Sequence, residues 1–546
     1  MRKKILTALS LILLIFTIVT CHKGEKVQDA SYRFIYNNDG TEILGNRWHG
    51  FRPLTIEDVH SYVDVVANTG ITTYMICSGS MLVYYESEYE RPLGLPRPGS
   101  GIEACNNEHY RENIPRYGRN YLRLRKEGTD IIELCVNRAK EKGLEAFITM
   151  RMNDLHFTDP ALYCTAAQSD IWLDHPEWRM GNHPGWHADG ALNYAHQGVR
   201  DYRLNLIREQ CESYDIDGME LDFMRFIVYF PYRQGRDYLD LMTNFMRQAK
   251  QIVDQAGELR GRPMLLAVRV PAQYELCIDK GLDVSRWSDE GLIDMITVSA
   301  HWIGDPALPI RHFKSQLNAD HIPVYASLES GQYYPREDRS HGIYRGAASH
   351  CLHQGADGIY LFNYFLSEFT GVDYQPAKPS NGLSYTNIRD THLLSELGRL
   401  ENMSGRNKVF SLSDGISEYE YTPDTPLPVS LYSWNQVELH MEVGDDLSTE
   451  KPANVYLFLR TRKDAALKIS CNGTATSDAS PCLSHEFGRD MNLGADDTVI
   501  VRKVPVDALR QGGNVIAIRS YDPVPAVLNR LELALQYGPV EEKGCF

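Results

Sequence analysis

The sequence predicts a (β/α)8 barrel followed by an all-β sandwich. Three observations predict it. Eight short segments rich in β-branched and aromatic residues alternate with helical patterns over about 370 residues, the signature of a barrel. No Gly-rich GxGxxG turn follows the first segment, which disfavours a doubly wound sheet. Beyond residue 402 the helical periodicity stops, and short β-rich segments with turns take over.

The elements follow in order. Residues 32–36 read as the first strand, and Thr55 is placed to cap a helix running to Asn68. Residues 72–77 are the second strand. A polar insertion rich in Gly, Pro, Arg and Tyr spans 79–127. Thr129 opens a helix to Lys142, and Gly143 ends it. The third strand is 144–152, and a second long loop, 153–197, carries Trp172, Trp178 and Trp186. A helix at 198–214 leads to the fourth strand at 216–223, and a helix at 236–256 to the fifth at 263–270. A short helix at 284–290 precedes the sixth strand, 293–300, and a weak one at 308–317 precedes the seventh, 322–328. A helix at 343–354, the eighth strand at 358–364 and a helix at 390–400 complete the barrel, 31–402. Both long insertions follow strands, so they belong to the C-terminal face, where barrel active sites are built. In 403–546, segments 429–434, 437–443, 454–461, 466–471, 498–504, 514–521 and 531–536 read as sandwich strands.

The N-terminus carries an export pattern. Arg2, Lys3 and Lys4 precede an apolar run over 5–19, too short to span a bilayer stably, and Cys21 follows. Residues 1–21 are expected to be a lipoprotein signal with Cys21 lipidated, and 22–30 a linker; the chain would then meet a bilayer through that anchor. A plain secretory signal with a chance cysteine is the alternative. Later segments are not apolar enough over a sufficient length to span a bilayer. Among 11 cysteines, Cys77, Cys135, Cys211, Cys277 and Cys351 sit in apolar patterns and read as buried thiols, while Cys471 and Cys482 are close enough in sequence to close a loop. The formal net charge of −16 argues against a nucleic-acid partner.

The chemistry concentrates on strand ends. Alternation puts Glu220 and Asp222 of the fourth strand on the inward face, with Met219, Leu221 and Phe223 toward the helices. Two inward carboxylates are costly unless they are paired, share a proton or are used. The seventh strand repeats the form with Ser327 and Glu329. Further inward or mouth candidates are Asn38 and Asp39 after the first strand, and Arg151 and Asn153 on the third. Arg225 follows the fourth, and Arg269 lies on the fifth. Thr297, Ser299, His301 and Trp302 come from the sixth, and Asn363 from the eighth. Arg151 or Arg269 would hold Glu220 ionised or grip an acidic sugar. Glycoside hydrolysis needs two carboxyl groups flanking the scissile bond, and rings such as Trp186, Tyr333 and Tyr334 stack on sugar faces when they are not simply anchoring loops. Glu275 is a rival acid. His156, His183, His187, His196 and His301 invite a metal reading, which is weakened because Pro184-Gly185 breaks any helix between His183 and His187. No CxxC, GxSxG or P-loop pattern occurs, so no metal and no cofactor is expected.

The segment Asp217-Gly218-Met219-Glu220-Leu221-Asp222-Phe223-Met224-Arg225-Phe226 resembles the DG-[ILM]-x-[LF]-D-[FY]-x-R-[FY] pattern of family 10-like glycosylhydrolases, barrel proteins of Bacteroidetes and Planctomycetes. The opening 34–40, FIYNNDG, is similar to theirs as well. Residues 504–518 resemble the last turn and strand of galactose-binding-like jelly rolls appended to glycosidases. The first resemblance implies a glycoside hydrolase with Asp222 as its foremost catalytic carboxylate. On this reading Asp222 is nucleophile or base, Glu329 the general acid, and Glu220 a tuning carboxylate acting on a carbohydrate. The rivals are a non-catalytic glycan-binding lipoprotein on the same scaffold and a metal-assisted hydrolase. The sequence does not specify oligomeric state.

Overall fold

Eight parallel strands close on one another in chain order: β1 (Arg33–Asn38), β2 (Thr73–Cys77), β3 (Glu145–Arg151), β4 (Gly218–Asp222), β5 (Leu265–Pro271), β6 (Met295–Ser299), β7 (Val324–Glu329) and β8 (Gly358–Phe362). The computed structural model describes residues 32–100, 108–159, 164–185, 187–300, 308–318, 321–329, 341–366, 391–412, 426–462, 465–486 and 496–540. β8 returns to β1 with Ile359 opposite Phe34 and Leu361 opposite Tyr36, which closes the barrel. The (β/α)8 barrel followed by antiparallel sheets is thus the fold that the sequence pattern implies.

The interior is packed, not hollow. Ile35, Met75, Phe147, Ala267, Met295, Tyr325, Tyr360 and Phe362 form one contact cluster inside it. Side chains alternate along a strand. The same inward faces therefore carry Asn37, Cys77, Arg151, Asp222, Arg269, Ser299 and Glu329 near the strands' C-terminal ends. The apolar interior supports a polar mouth.

Helices cover the outside. α1 (Ile56–Ala67) begins with a capping box, in which Thr55 Oγ1 accepts from the Asp58 N–H and Asp58 Oδ2 accepts from the Thr55 N–H. α2 (Glu108–Lys126) falls in the stretch that reads as a polar insertion. Its internal Pro115 and many charges mask a buried stripe of Ile114, Tyr117, Tyr121 and Leu124, spaced three, four and three residues apart. α3 (Ile131–Glu141) is capped by Asp130, not Thr129, because the Asp130 carboxylate accepts the Glu133 N–H at 2.9 Å. α4 (Gln197–Ser213) precedes β4. α5 (Leu239–Arg260) starts after a 3-10 turn over Gly235–Tyr238, so it begins later than the pattern suggests. α6 (Tyr274–Asp279), α7 (Val284–Asp289), α8 (Ile310–Ser315) and α9 (His341–His353) complete the ring up to β8.

The C-terminal region is two antiparallel sheets. One contains β9 (Lys408–Leu412), β10 (Val429–Leu431), β12 (Asn454–Arg462), β15 (Ser477–Asp478), β16 (Asp497–Val504) and β18 (Ala526–Gln536). The other contains β11 (Val437–Val443), β13 (Leu467–Cys471), β14 (Thr474–Ala475) and β17 (Gly512–Ser520). Leu439, Met441, Ile516 and Ile518 from one sheet share a core with Leu457, Leu459, Leu531 and Leu533 from the other. The first sheet is also buried on its outer face. There Val409, Tyr456, Phe458 and Ala534 pack with Ile343 of α9, and this joins the sandwich to the barrel.

Two cysteine expectations divide. Cys77, Cys135, Cys211, Cys277 and Cys351 are buried free thiols. Cys471 and Cys482 do not pair: Cys471 points into the sandwich core, whereas Cys482 is exposed at the start of a short helix. Cys164 is disulfide-bonded. Among the described residues, no helix is long and apolar enough to cross a membrane.

Candidate active site

β4 delivers two carboxyl groups into the barrel, and they differ in depth and partners. Glu220 is fully buried, and its Oε1 accepts from Thr149 Oγ1 at 2.7 Å and from the Tyr360 hydroxyl at 2.8 Å. Its Oε2 is buried without a hydrogen-bond partner. Burial, reinforced by the neighbouring charge of Asp222, pushes the Glu220 carboxyl up to about 7. Asp222 ends the strand. Its Oδ1 accepts the Met224 N–H at 2.8 Å, and both oxygens lie near Arg269 Nη1, at 3.2 and 3.1 Å.

Arg269 of β5 is the centre of the site. One terminal nitrogen, Nη1, holds Asp222, while Nη2 donates to Glu329 Oε1 of β7 and to Ser299 Oγ of β6 at 3.0 Å. The guanidinium lies over the Phe362 ring, 3.8 Å from its centroid, and is itself fully buried. Burial opposes its charge, but Asp222 and Glu329 outweigh that cost and hold its pKa above the usual value. Glu329 is nearly buried too, and its carboxyl is raised by that burial against the pull of Arg269 and Arg225. A single planar cation therefore sets the spacing of two carboxylates from strands on either side of it.

A second polar chain lines the rim. Arg151 Nη1 donates to Asp154 Oδ2 at 3.0 Å, and Arg151 Nη2 is 3.9 Å from Asp39 Oδ2. Asp154 Oδ1 lies 2.6 Å from His156 Nδ1, and Arg225 Nη2 meets His156 Nε2 at 2.7 Å. That short contact needs a neutral His156 that accepts at Nε2, and burial does lower its pKa. Arg225 thus reaches the mouth through His156.

Several expected binding residues have other duties. Asn153 spends its amide on backbone: Nδ2 donates to Leu192 O at 2.9 Å and Val228 O at 2.6 Å, and Oδ1 accepts the Leu192 N–H at 3.1 Å. It staples the loops after β3 and β4. Asn38 Oδ1 accepts the Gly40 N–H at 2.7 Å, and Asp39 Oδ1 accepts the Thr41 N–H at 2.9 Å, so both also shape the turn after β1. Asn363 follows β8 in a left-handed conformation, φ 54°, one residue beyond the inward positions Gly358, Tyr360 and Phe362. Trp172 is buried, its Nε1 donates to Gly190 O at 2.7 Å, and Arg179 covers its ring. It anchors its loop. Glu275 is a surface residue paired with Arg236 at 2.8 Å, away from the interior faces. His183 packs edge-on against Tyr232, and His187 Nε2 lies 3.2 Å from Asp159. Among the described residues, no cluster of three His, Cys, Asp or Glu side chains is arranged to hold a metal ion. Trp186, His301, Trp302, Tyr333, Tyr334 and Cys21 lie outside the described residues.

Sequence reasoning overlooked Thr149, Tyr360, Phe362, Asp154 and the link from His156 to Arg225. Thr149 and Tyr360 were legible by alternation, two residues before Arg151 and Phe362. Arg151, Asp154 and His156 lie within six residues of one another, but their link to Arg225 in the loop after β4 carried no local signal. Further inward polar atoms lack a hydrogen-bond partner among the described residues: Asn37 Oδ1 and Nδ2, Thr297 Oγ1, Ser327 Oγ and Arg269 Nε. Unsatisfied buried groups are costly. Glu220 Oε2 belongs to the same set of buried, unpaired atoms.

No protein-family profile matches the chain, and no curated protein matches it. Among solved structures it is similar to a cycloisomaltooligosaccharide glucanotransferase from Paenibacillus sp., at 11% identity and a TM-score of 0.34, over 92% of this chain and 57% of that one. The chain thus spans little more than half the length of that protein. It is also similar to a noncanonic maltogenic alpha-amylase from Thermotoga neapolitana, at 12% identity and a TM-score of 0.36, over 93% and 99% of the two chains. An endo-beta-1,4-glucanase from Bacillus halodurans shows 12% identity and a TM-score of 0.38, over 88% and 72%.

Proposed function

We propose that the barrel mouth hydrolyses glycosidic bonds. The observation that carries this reading is the Asp222–Arg269–Glu329 bridge at the C-terminal ends of β4, β5 and β7. Two carboxyl groups joined through one guanidinium stand apart by its width plus two hydrogen bonds. That is on the order of the roughly 5–9.5 Å that glycosidases leave between theirs. Asp222 attacks the anomeric carbon directly or through a water. Glu329, whose burial favours the protonated form, gives its proton to the leaving oxygen. Arg269 holds both in register. Glu220 sits behind Asp222 as a buried acid and keeps additional negative charge out of the site at mildly acidic pH.

The chain is read as exported and lipid-anchored at Cys21, with residues 22–30 as a linker and a galactose-binding-like sandwich behind the barrel. The basic and apolar N-terminal run supports export, as does the disulfide at Cys164, because such bonds persist in oxidising compartments.

Assays on a panel of glycans and aryl glycosides test the activity. Asp222→Asn and Glu329→Gln are each expected to lower kcat by about 10²–10⁴-fold, the usual contribution of such groups. Turnover unaffected by both changes would overturn the assignment. Mass spectrometry finding Cys21 without lipid would remove the anchor.

A further inference from the structure

A cavity of about 520 Å³ lies beside the mouth, between the loop that leaves β4 after Asp222 and the C-terminal end of α6. Its size is in the range of small-molecule sites, roughly 300–1,000 Å³. Its walls are built rather than accidental. Gly235 presses on the backbone after α6 so closely that a Cβ there would lie 2.1 Å from Asp279 O. Arg236 clamps the same two segments, with Nε donating to Asp279 Oδ1 at 2.6 Å and Nη2 to Glu275 Oε2 at 2.8 Å. Phe230, which also lines the cavity, is stacked on Tyr238 at 4.6 Å between ring centroids, so the apolar wall is fixed as well.

The lining is cationic in a chain whose formal net charge is −16. Arg233, Arg236 and Lys280 line it together with one acid, Asp279, and Arg236 engages both that acid and Glu275. Arg233 is exposed and lies over the Tyr232 ring, 5.0 Å from its centroid. Among the described residues it makes no ion pair. Its backbone is left-handed, φ 60°, where Gly or Asn sits more easily than arginine. Arginine held at such a position, over an aromatic ring and with its charge unspent, suits recognition of an anion.

We propose that this cavity is a subsite for an anionic substituent of a glycan, a carboxylate or a sulfate. The ring of Tyr232 packs against the sugar, while Arg233 takes the charge. This rests on the glycoside-hydrolase reading and narrows it to acidic glycans.

The experiment is calorimetric titration of the full chain with three probes: an oligogalacturonate, a sulfated galactan oligosaccharide and a neutral gluco-oligosaccharide. At least one anionic probe is expected to bind more tightly than the neutral one, with affinity falling as salt rises. Arg233→Asn, which suits the left-handed backbone, should weaken that binding about tenfold. Which anionic probe binds tells carboxylate from sulfate. Absence of binding by both anionic probes would overturn the proposal, as would wild-type affinity in Arg233→Asn. Titrating Asp222→Asn separates the two ideas. Anion binding that survives there, with no turnover of any glycan by the wild type, would keep the subsite and remove the hydrolase.

Discussion

Both donors that reach Glu220, Thr149 and Tyr360, touch the same oxygen and leave the other buried and unpaired. Two donors on one oxygen do not offset the loss of water, so the acid form is favoured and the carboxyl rises from 4.5 to about 7. The consequence for stability has a definite sign. Below the unfolded value of 4.5 the group is protonated in both states and costs nothing. As pH rises toward 7 the unfolded chain releases the proton and the folded chain keeps it, so folding loses free energy. The loss levels off above the folded value at about 3 kcal/mol. Glu220→Gln retains an oxygen that Thr149 and Tyr360 can still reach, and it does not titrate. Denaturant titrations from pH 4 to 8 should show the variant gaining on the wild type by about that amount, with the whole gain falling between the two values. A pH-independent difference would mean that Glu220 is not a buried acid.

Strand alternation makes direction legible and leaves reach illegible. It correctly turns Glu220, Asp222, Arg269 and Glu329 inward, because a period of two is local to each strand. It cannot show that Arg269 grips both acids, since that depends on the stagger of three strands closed into a ring. Asn153 illustrates the limit. It stands two residues beyond inward-facing Arg151, yet β3 has ended, and its amide binds two loops instead. α2 is illegible for a related reason, its buried stripe being tyrosine-rich and crossed by Pro115. The loop elements rest on that amide. Asn153→Ala strands the Leu192 N–H and two carbonyls, at about 2–4 kcal/mol. Hydrogen exchange should quicken across 187–196 and 223–232, while β1 to β8 keep their protection. Equal acceleration in the strands would show that Asn153 supports the whole barrel rather than its mouth.

At the scale of the molecule, barrel and sandwich belong to one compact unit, Arg33–Phe546, and the joint explains why. α9 closes the barrel between β7 and β8, and its outer side is the floor on which β9 lies. Contact is close enough that a Cβ on Gly346 would sit 2.0 Å from Val409 O, a backbone atom that cannot swing aside. Beside it, Lys408 Nζ bonds Asp445 Oδ1 at 2.7 Å with both groups buried, and Ser349 of α9 and Tyr537 after β18 also reach Asp445. A buried pair of this kind tolerates little displacement, because a partly separated charge loses its partner without regaining water. Widening the joint by one methyl group therefore strains helix, strand and ion pair together. Gly346→Ala is expected to destabilise the chain by about 1–3 kcal/mol through overpacking. Scanning calorimetry should show barrel and sandwich unfolding in one transition that moves down as a whole. If the variant instead splits the endotherm and leaves one peak where the wild type melts, the two parts fold independently. The sandwich would then be a passenger on α9 rather than its support.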